Sequence, residues 1–332
     1  LKIMTTYKEV SGKYVRSVSS DPPAAAGTGE IWYNTSSNTF KTVGLVSAWS
    51  SGGALPGTAP ETVATGQQTA ALMIGSEVGL PSGVVLEYNG SSWTSGGPLN
   101  TARYGGGASG TQTAALYFVG NPFSGATESY NGSSWTNVNS ANNNGFMVGG
   151  FGTQGAAVLA GGRPGGPGTA SNRTEDWDGS NWTNGNTMTN ARSNSGTAGT
   201  QTAGMIVGGS ADSYNYYAST LEYNGSSWTS VPGTISPARR VQRGQVGTQT
   251  SALAFGGYSG SGGGSNAYNL NESYDGTSWT TAPTMANARS SHGGTGASNA
   301  DGLAVGGYNG GGQITATEEF TIGFTVQTVS TS

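Results

Sequence analysis

Short apolar runs bounded by Gly-rich polar turns recur along most of this chain. Residues 103–136 carry one full unit of the pattern. Arg103 to Ser109 predicts a first strand, and Gly110-Thr111-Gln112-Thr113 a tight turn after it. Ala114 to Gly120 is almost wholly apolar, as expected of a strand covered on both faces. Thr127 to Tyr130 predicts a third strand. Asn131-Gly132 reads as a two-residue hairpin turn, in which both positions need positive φ. Ser133 to Thr136 completes the unit as an outer strand.

The unit repeats. The string E-(S)-Y-N-G-S-S-W-T recurs as Glu87 to Thr94, Glu128 to Thr136, Glu175 to Thr183, Glu222 to Thr229 and Glu272 to Thr280. Its tryptophans, Trp93, Trp135, Trp182, Trp228 and Trp279, are spaced by 42, 47, 46 and 51 residues, and Trp49 precedes them by 44. A second string, near G-T-Q-T-A-A-L-x-x-G-G, begins at Gly66, Gly110, Gly152, Gly199, Gly247 and Gly296. A period in the forties with four short strands per unit is the signature of propeller blades. The fold expected is all-β, a six-bladed β-propeller; seven blades is the competing count. The six tryptophans are structural, each burying about 150–250 Å².

The last repeat is incomplete. It has an inner strand near His292, an apolar strand from Gly302 to Gly307 and a third strand from Thr317 to Phe320, then no N-G-S-S-W strand. Trp49 has an outer strand with no blade before it. Pairing the segment around 43–50 with the last blade closes the ring and leaves no open sheet edge. The expected organisation is a propeller over 42–322, a preceding segment 1–41 with a β-hairpin near Ile31 to Lys41, and a tail over 323–332.

Composition changes this picture little. With 59 Gly and only 9% charged residues the chain could pass for low-complexity sequence. Its 8 Trp, 15 Tyr and 8 Phe, set at regular intervals, argue for a folded core instead. The formal net charge is −4 with no basic stripe, which speaks against nucleic acid as a partner. All four lysines, Lys2, Lys8, Lys13 and Lys41, precede residue 42, so the first forty residues have a separate job. There is no Cys, and therefore no disulfide or thiolate metal site. No apolar run of signal-peptide type opens the chain, none is long enough for membrane insertion, and Met4 reads as a start.

Candidate chemistry is sparse. An enzyme needs a nucleophile with a base, paired carboxylates or a metal cage, and His292 is the only histidine. Its expected role is packing or hydrogen bonding. Glu87, Glu128, Glu175, Glu222, Glu272 and Glu319 recur once per blade and read as one repeated structural contact, with Arg103, Arg192, Arg239 and Arg289 as partners. No catalytic, cofactor-binding or metal-binding residue is expected, and the chain reads as no enzyme. What differs among blades is free to serve a ligand. The variable links between second and third strands, Arg163 to Asn172, Ser210 to Ser219 and Tyr258 to Leu270, share a face with the connections between blades. Their candidate ligand-binding residues are Arg163, Arg173, Tyr214, Tyr216, Tyr217, Tyr258 and Tyr268, a tyrosine-rich polar set suited to adaptable recognition and to stacking on sugars. The competing reading is tolerated surface variation.

Two resemblances follow. Arg289-Ser-Ser-His292-Gly293, then L-A-V-Gly306-Gly307, then Glu-x-x-Tyr and a downstream Trp resemble the kelch repeat over about residues 43–320. Blades one and three depart from it, with Pro60-Glu61 and Asn142-Asn143-Asn144 in place of the Ala-Arg step. The N-terminal string Asp21-Pro22-Pro23, then Gly29-Glu30-Ile31-Trp32-Tyr33-Asn34-Thr35 and on to Phe40-Lys41, resembles segments of virion proteins of tailed bacteriophages, notably marine ones. The resemblance implies a kelch-like virion structural protein on the particle exterior, a tail fibre or other component. Its residues 1–41 would contact other virion proteins, and its propeller would face host surface glycans. A homo-oligomer fits this reading, and a cellular kelch-type lectin or protein-interaction module is the alternative.

Overall fold

The computed structural model describes residues 15–23, 30–165, 170–260 and 266–329, and every regular element among them is a strand. The chain divides into two compact units, residues 1–48 with 321–332, and Trp49–Phe320.

In the first unit, β1 (Arg16–Val18) pairs in parallel with β2 (Ile31–Asn34), and β2 pairs antiparallel with β3 (Thr39–Ser51). The Asp-Pro-Pro string acts here through its carboxylate. Asp21 Oδ1 accepts hydrogen bonds from Trp32 Nε1 at 2.9 Å and Asn34 Nδ2 at 2.7 Å. These donors hold the Asp21 pKa below its ordinary value, Asn34 most strongly. Asn34 Oδ1 in turn caps the amides of Ser36 and Ser37 in the hairpin turn. Residues 323–332, expected as a tail, are in large part strand. β26 (Thr317–Thr328) runs on beside β3, with Lys41 Nζ on Thr328 Oγ1 at 2.8 Å.

The second unit is a six-bladed β-propeller. Blade 1 holds β4 (Val63–Gln67), β5 (Ala70–Ile74), β6 (Val85–Tyr88) and β7 (Trp93–Ser95). Blade 2 holds β8 (Gly107–Thr111), β9 (Ala114–Gly120), β10 (Ser124–Tyr130) and β11 (Trp135–Val138). Blade 3 holds β12 (Gly149–Gly152), β13 (Ala157–Ala160), β14 (Thr174–Trp177) and β15 (Trp182–Asn184). Blade 4 holds β16 (Gly196–Thr200), β17 (Ala203–Val207), β18 (Ser219–Tyr223) and β19 (Trp228–Thr234). Blade 5 holds β20 (Gly247–Thr248), β21 (Ser251–Phe255), β22 (Asn271–Tyr274) and β23 (Trp279–Ala282). Blade 6 holds β24 (Gly293–Ser298), β25 (Asp301–Val305) and the first residues of β26, and its fourth strand is the end of β3. Gly52 N donates to Thr317 O at 2.9 Å beside that pairing. The inner strands β4, β8, β12, β16, β20 and β24 neighbour one another in a closed circle.

Local details depart from expectation in three places. The inner strand of blade 2 begins at Gly107, because Arg103 folds inward beneath it and its guanidinium bonds the carbonyls of Val119 and Thr101. The Asn131-Gly132 turn is a four-residue loop, with Tyr130 opposite Trp135. Only Gly132 takes positive φ (92°), while Asn131 Oδ1 accepts from the amides of Ser133 and Ser134 at 3.0 and 2.9 Å, an Asx turn. The outer strand therefore starts at Trp135.

Two repeated side chains lock each blade to the one before it. The glutamine of each G-T-Q-T turn reaches back to two backbone carbonyls. Gln112 Nε2 meets Ala71 O and Tyr88 O, and Gln201 Nε2 meets Ala157 O and Trp177 O. Gln68 does the same at the ring closure, and at the last junction Asn299 Nδ2 meets Tyr274 O. The outer-strand indoles of Trp93, Trp182, Trp228 and Trp279 donate to Thr317, Thr127, Thr174 and Thr220 of the preceding blade. Trp135 uses Gly97 O, since blade 1 has Val85 at that position, and Trp49 packs on Phe255 and Phe320.

The recurring glutamates are two sets, not one. Adjacent residues of a strand point to opposite faces, and the acids occupy two adjacent positions of the third strand. Glu128, Glu175, Glu272 and Glu318 are buried and face their own blade. Glu128 pairs with Arg103, Glu272 with Arg239 at 2.7 Å and Glu318, not Glu319, with Arg289 at 2.5 Å. Each also caps a loop amide, as Glu128 does for Asn100 N at 2.7 Å. The other set faces the next blade. Tyr88 donates to Glu319, Tyr130 to Glu87, Tyr223 to Asp176 and Tyr274 to Glu222. Where the next blade has Trp177 or Phe320 in place of Tyr, the matching position holds Ser129 or Ser273 instead of an acid.

Candidate functional site

The face carrying the links between second and third strands collects the side chains that the repeat does not explain. Two clusters stand out.

The first crosses the central channel. Arg-to-Gly spacing along the inner strand is 7 residues in Arg103–Gly110, Arg192–Gly199 and Arg289–Gly296, but 8 in Arg239–Gly247. The extra residue bulges the inner strand of blade 5 and shortens β20 to two residues. Arg243 leaves this bulge to pair with Glu61 of blade 1, and its Nε and Nη2 donate to Asn194 Oδ1 of blade 4 at 3.1 and 2.6 Å. Blades 1 and 4 lie opposite each other in a ring of six, so the guanidinium lies across the axis. Glu61 and Asn194 take left-handed backbone, φ 58° and 53°. A belt of amide bonds holds them there, Glu61 N to Ser291 O at 2.8 Å and Asn194 N to Met147 O at 3.1 Å. Gln245, from the same bulge, accepts from Gly152 N and donates to Gly199 O. Beyond it, at the end of the glutamine turns, the channel widens into a cavity of about 400 Å³ lined mainly by Gly and Thr backbone.

The second cluster sits on blade 4. In blades 2, 5 and 6 the inner arginine meets its own acid. Blade 1 has Ala59 and Leu86 at the two positions. Blade 3 has Gly145, and Arg173 swings into the space a side chain there would fill, 2.6 Å from where a Cβ would stand. Arg173 lies 3.8 Å from Glu175 and donates to Asn144 O. Blade 4 alone is mismatched: Arg192 is buried, and Leu221 replaces the acid. Arg192 bonds Gly208 O, Ser219 O and Ser219 Oγ and stacks on Tyr217 at 4.8 Å. Burial pushes its pKa down to about 10.

Two more arginines lean onto the same blade from either side. Arg163 Nε donates to Ser193 Oγ at 3.3 Å and Arg240 Nε to Ser210 Oγ at 2.8 Å. Ser193 and Ser210 are themselves bridged. Burial, then the charge of Arg240, lower the Arg163 pKa. Arg240 also donates to Tyr258 OH and to Asp212 O, and stacks over Tyr258 and Tyr216 at 4.9 and 5.9 Å. Tyr216 OH bonds Gly260 O of blade 5 at 2.9 Å. Tyr214 stands out from the rim, 72% exposed.

Of the residues expected at a ligand site, Arg163, Tyr216 and Tyr258 come together, joined by Arg240. Tyr214 borders them. Tyr217 serves Arg192, Tyr268 bonds Ser259 at 2.8 Å, and Arg173 completes blade 3. Residues 166–169 and 261–265 of the two flanking links lie outside the described residues. Sequence reasoning missed Arg240, Arg243, Glu61, Ser193 and Ser210. The 8-residue spacing and the Leu221 mismatch were the available signals. His292 is fully buried in blade 6, and both ring nitrogens lack a hydrogen-bond partner among the described residues. Burial, then Arg289 and Arg243, hold its pKa well below 6.5, so it is neutral. Among the described residues no group of three or more His, Asp or Glu is placed to hold a metal ion.

The chain matches no known family model and no curated protein. Its fold defines it as a six-bladed β-propeller, with an arginine- and tyrosine-rich patch on one face.

Proposed function

We propose that this chain is a kelch-like, non-enzymatic structural protein of a tailed-bacteriophage virion. It would stand on the particle exterior, as a tail fibre or other component, and present its propeller to the host surface. The observation that carries this reading is the distribution of exposed apolar side chains. Ile31, Leu45, Val46, Ile322, Phe324 and Val329 are exposed in the unit built around the Asp-Pro-Pro…Trp-Tyr-Asn string. In the far larger propeller, Val78, Phe123 and Tyr214 are their exposed counterparts among the described residues. Apolar exposure concentrated in one small unit suits a surface covered by a partner. This supports contact with other virion proteins through the unit that bears the phage-like string. Residues 1–14 and 24–29 of the expected anchor lie outside the described residues.

Peptide mass spectrometry and electron microscopy of purified particles test the proposal. The chain is expected in stoichiometric amounts, with propeller-sized density on the exterior. Particles that lack both would refute it and leave the cellular kelch-type lectin as the better reading.

A further inference from the structure

We propose that the propeller opens at the junction of blades 5 and 6, which parts from its outer edge while the inner strands stay bonded as a hinge. The inference concerns the ring itself and goes beyond the proposed function, since it needs no ligand and no partner.

Three kinds of directional contact bridge neighbouring blades: a turn amide side chain on two carbonyls, an outer-strand indole on a threonine, and a third-strand tyrosine on an acid. Where the ring closes, between blades 6 and 1, all three are present. Gln68 meets Gly302 O and Phe320 O, Trp93 meets Thr317 and Tyr88 meets Glu319. All three also bridge blades 3 and 4 and blades 4 and 5. The junctions of blade 2 each vary in one. Between blades 5 and 6 two are gone and the third is changed. Phe320 faces Ser273, so no phenol meets an acid. Trp49 Nε1 is buried without a hydrogen-bond partner. Asn271 stands where blades 2, 3, 4 and 6 offer threonine, and it is fully buried with neither amide atom bonded. Asn299, one carbon shorter than glutamine, reaches Tyr274 O with its side chain and Ser251 Oγ with its main-chain amide at 3.0 Å. Buried polar groups without partners weaken the closed state and gain water when the junction parts.

Apolar packing holds this junction instead. Trp49 lies edge-on to Phe255 of blade 5 with centroids 5.1 Å apart, and against Phe320 of its own blade at 5.4 Å. Leu253, Met285 and Ala304 belong to the same cluster. Such packing is non-directional, so a small shift there breaks no hydrogen bond. The inner edge is different. Arg243 N donates to His292 O at 3.0 Å and Gly294 N to Arg243 O at 2.7 Å, main-chain bonds that tie blade 5 to blade 6. A junction bonded inside and only packed outside can hinge. Local opening follows the contacts that must be broken, so this junction opens before the others. β3 and β26, which bring Trp49 and Phe320 to it, both continue into the first unit, so a load on that unit reaches the propeller at blade 6.

Two methionines in matched settings test the hinge in the unaltered chain. Met285 follows the outer strand of blade 5 and packs at the 5–6 junction, and Met188 follows that of blade 3 and packs at the fully bridged 3–4 junction. Each is 1% exposed, and the carbonyl of each accepts from an asparagine side chain at 3.1 Å. Under dilute hydrogen peroxide, peptide mass spectrometry should find Met285 converted to its sulfoxide about tenfold or more faster than Met188, the ratio that loss of one charge-assisted bond allows. The chain has no Cys, so Ala304→Cys, facing blade 5, can be compared with Ala254→Cys, facing blade 4, both positions being fully buried. The first should react faster with a thiol reagent. Asn271→Thr with Asn299→Gln, which rebuilds two of the bridges, should slow Met285 severalfold and leave Met188 unchanged. Equal oxidation of Met285 and Met188, or a rebuilt junction that oxidises as fast as the original, would overturn the hinge. If the rebuilt or cysteine variants fail to fold, the comparison of the two native methionines still decides.

Discussion

The junction between blades 3 and 4 offers a sharp test of how the ring is held in order. Tyr223 OH donates to Asp176 Oδ2 at 2.8 Å, the Tyr223 side chain is fully buried and Asp176 is half-buried. The second carboxylate oxygen, Oδ1, has no partner among the described residues. Burial raises the Asp176 pKa, so its charge already sits in an unfavourable place and depends on the phenol. Removing that donor with Tyr223→Phe deletes a hydrogen bond to a charged group and strands the carboxylate, at a cost of about 1.5–3 kcal/mol. Asp176→Ser on the same background should return about 1 kcal/mol, because it recreates the chemistry of the blade 5–6 junction, where Phe320 follows Ser273. Urea denaturation of the four members of the cycle measures this. Indole fluorescence is a suitable probe, since Trp228 stacks on Tyr223 with centroids 4.8 Å apart. A double variant whose destabilisation equals the sum of the singles to within about 0.5 kcal/mol would refute the pairing as an energetic unit.

Two further outcomes are expected. His292 is neutral when folded and has its pKa depressed, whereas the unfolded chain takes up a proton near pH 6.5. Stability from this group is thus full above pH 6.5 and is lost as pH falls below it, by up to about 1.4 kcal/mol per pH unit. The single imidazole signal in NMR should not titrate near 6.5 in the native state, and a native titration there would contradict the assignment. At the channel, Arg243→Met leaves Glu61 buried without its cation and should cost about 3–5 kcal/mol, with Glu61→Leu recovering much of the loss in the double variant. Equal melting of the single and double variants would mean the pair carries no such energy.

Much of the propeller can be read from the chain alone because each blade repeats the same local problem. An apolar strand covered on both faces, a Gly-marked turn and a Trp that must be buried recur at a fixed period, so the fold class and the blade count follow from local pattern. Even the junction pairs were written there, as Tyr opposite Glu or Asp and Trp or Phe opposite Ser, although reading them requires knowing which of two adjacent acids faces which neighbour. Strand geometry settles that, since Glu318 and Glu319 point to opposite faces and only the first meets Arg289. Tertiary structure alone decided the rest. Arg173 serves blade 3 because Gly145 leaves room for it. Arg163 and Arg240 come from links 77 residues apart and meet only because blades 3 and 5 both border blade 4. The one-residue bulge that sends Arg243 across the axis to Glu61 and Asn194 has no local signature beyond a spacing of 8. Local pattern specifies what each strand buries. Which charges meet over the ring depends on closing it, and closure is a property of all six blades together.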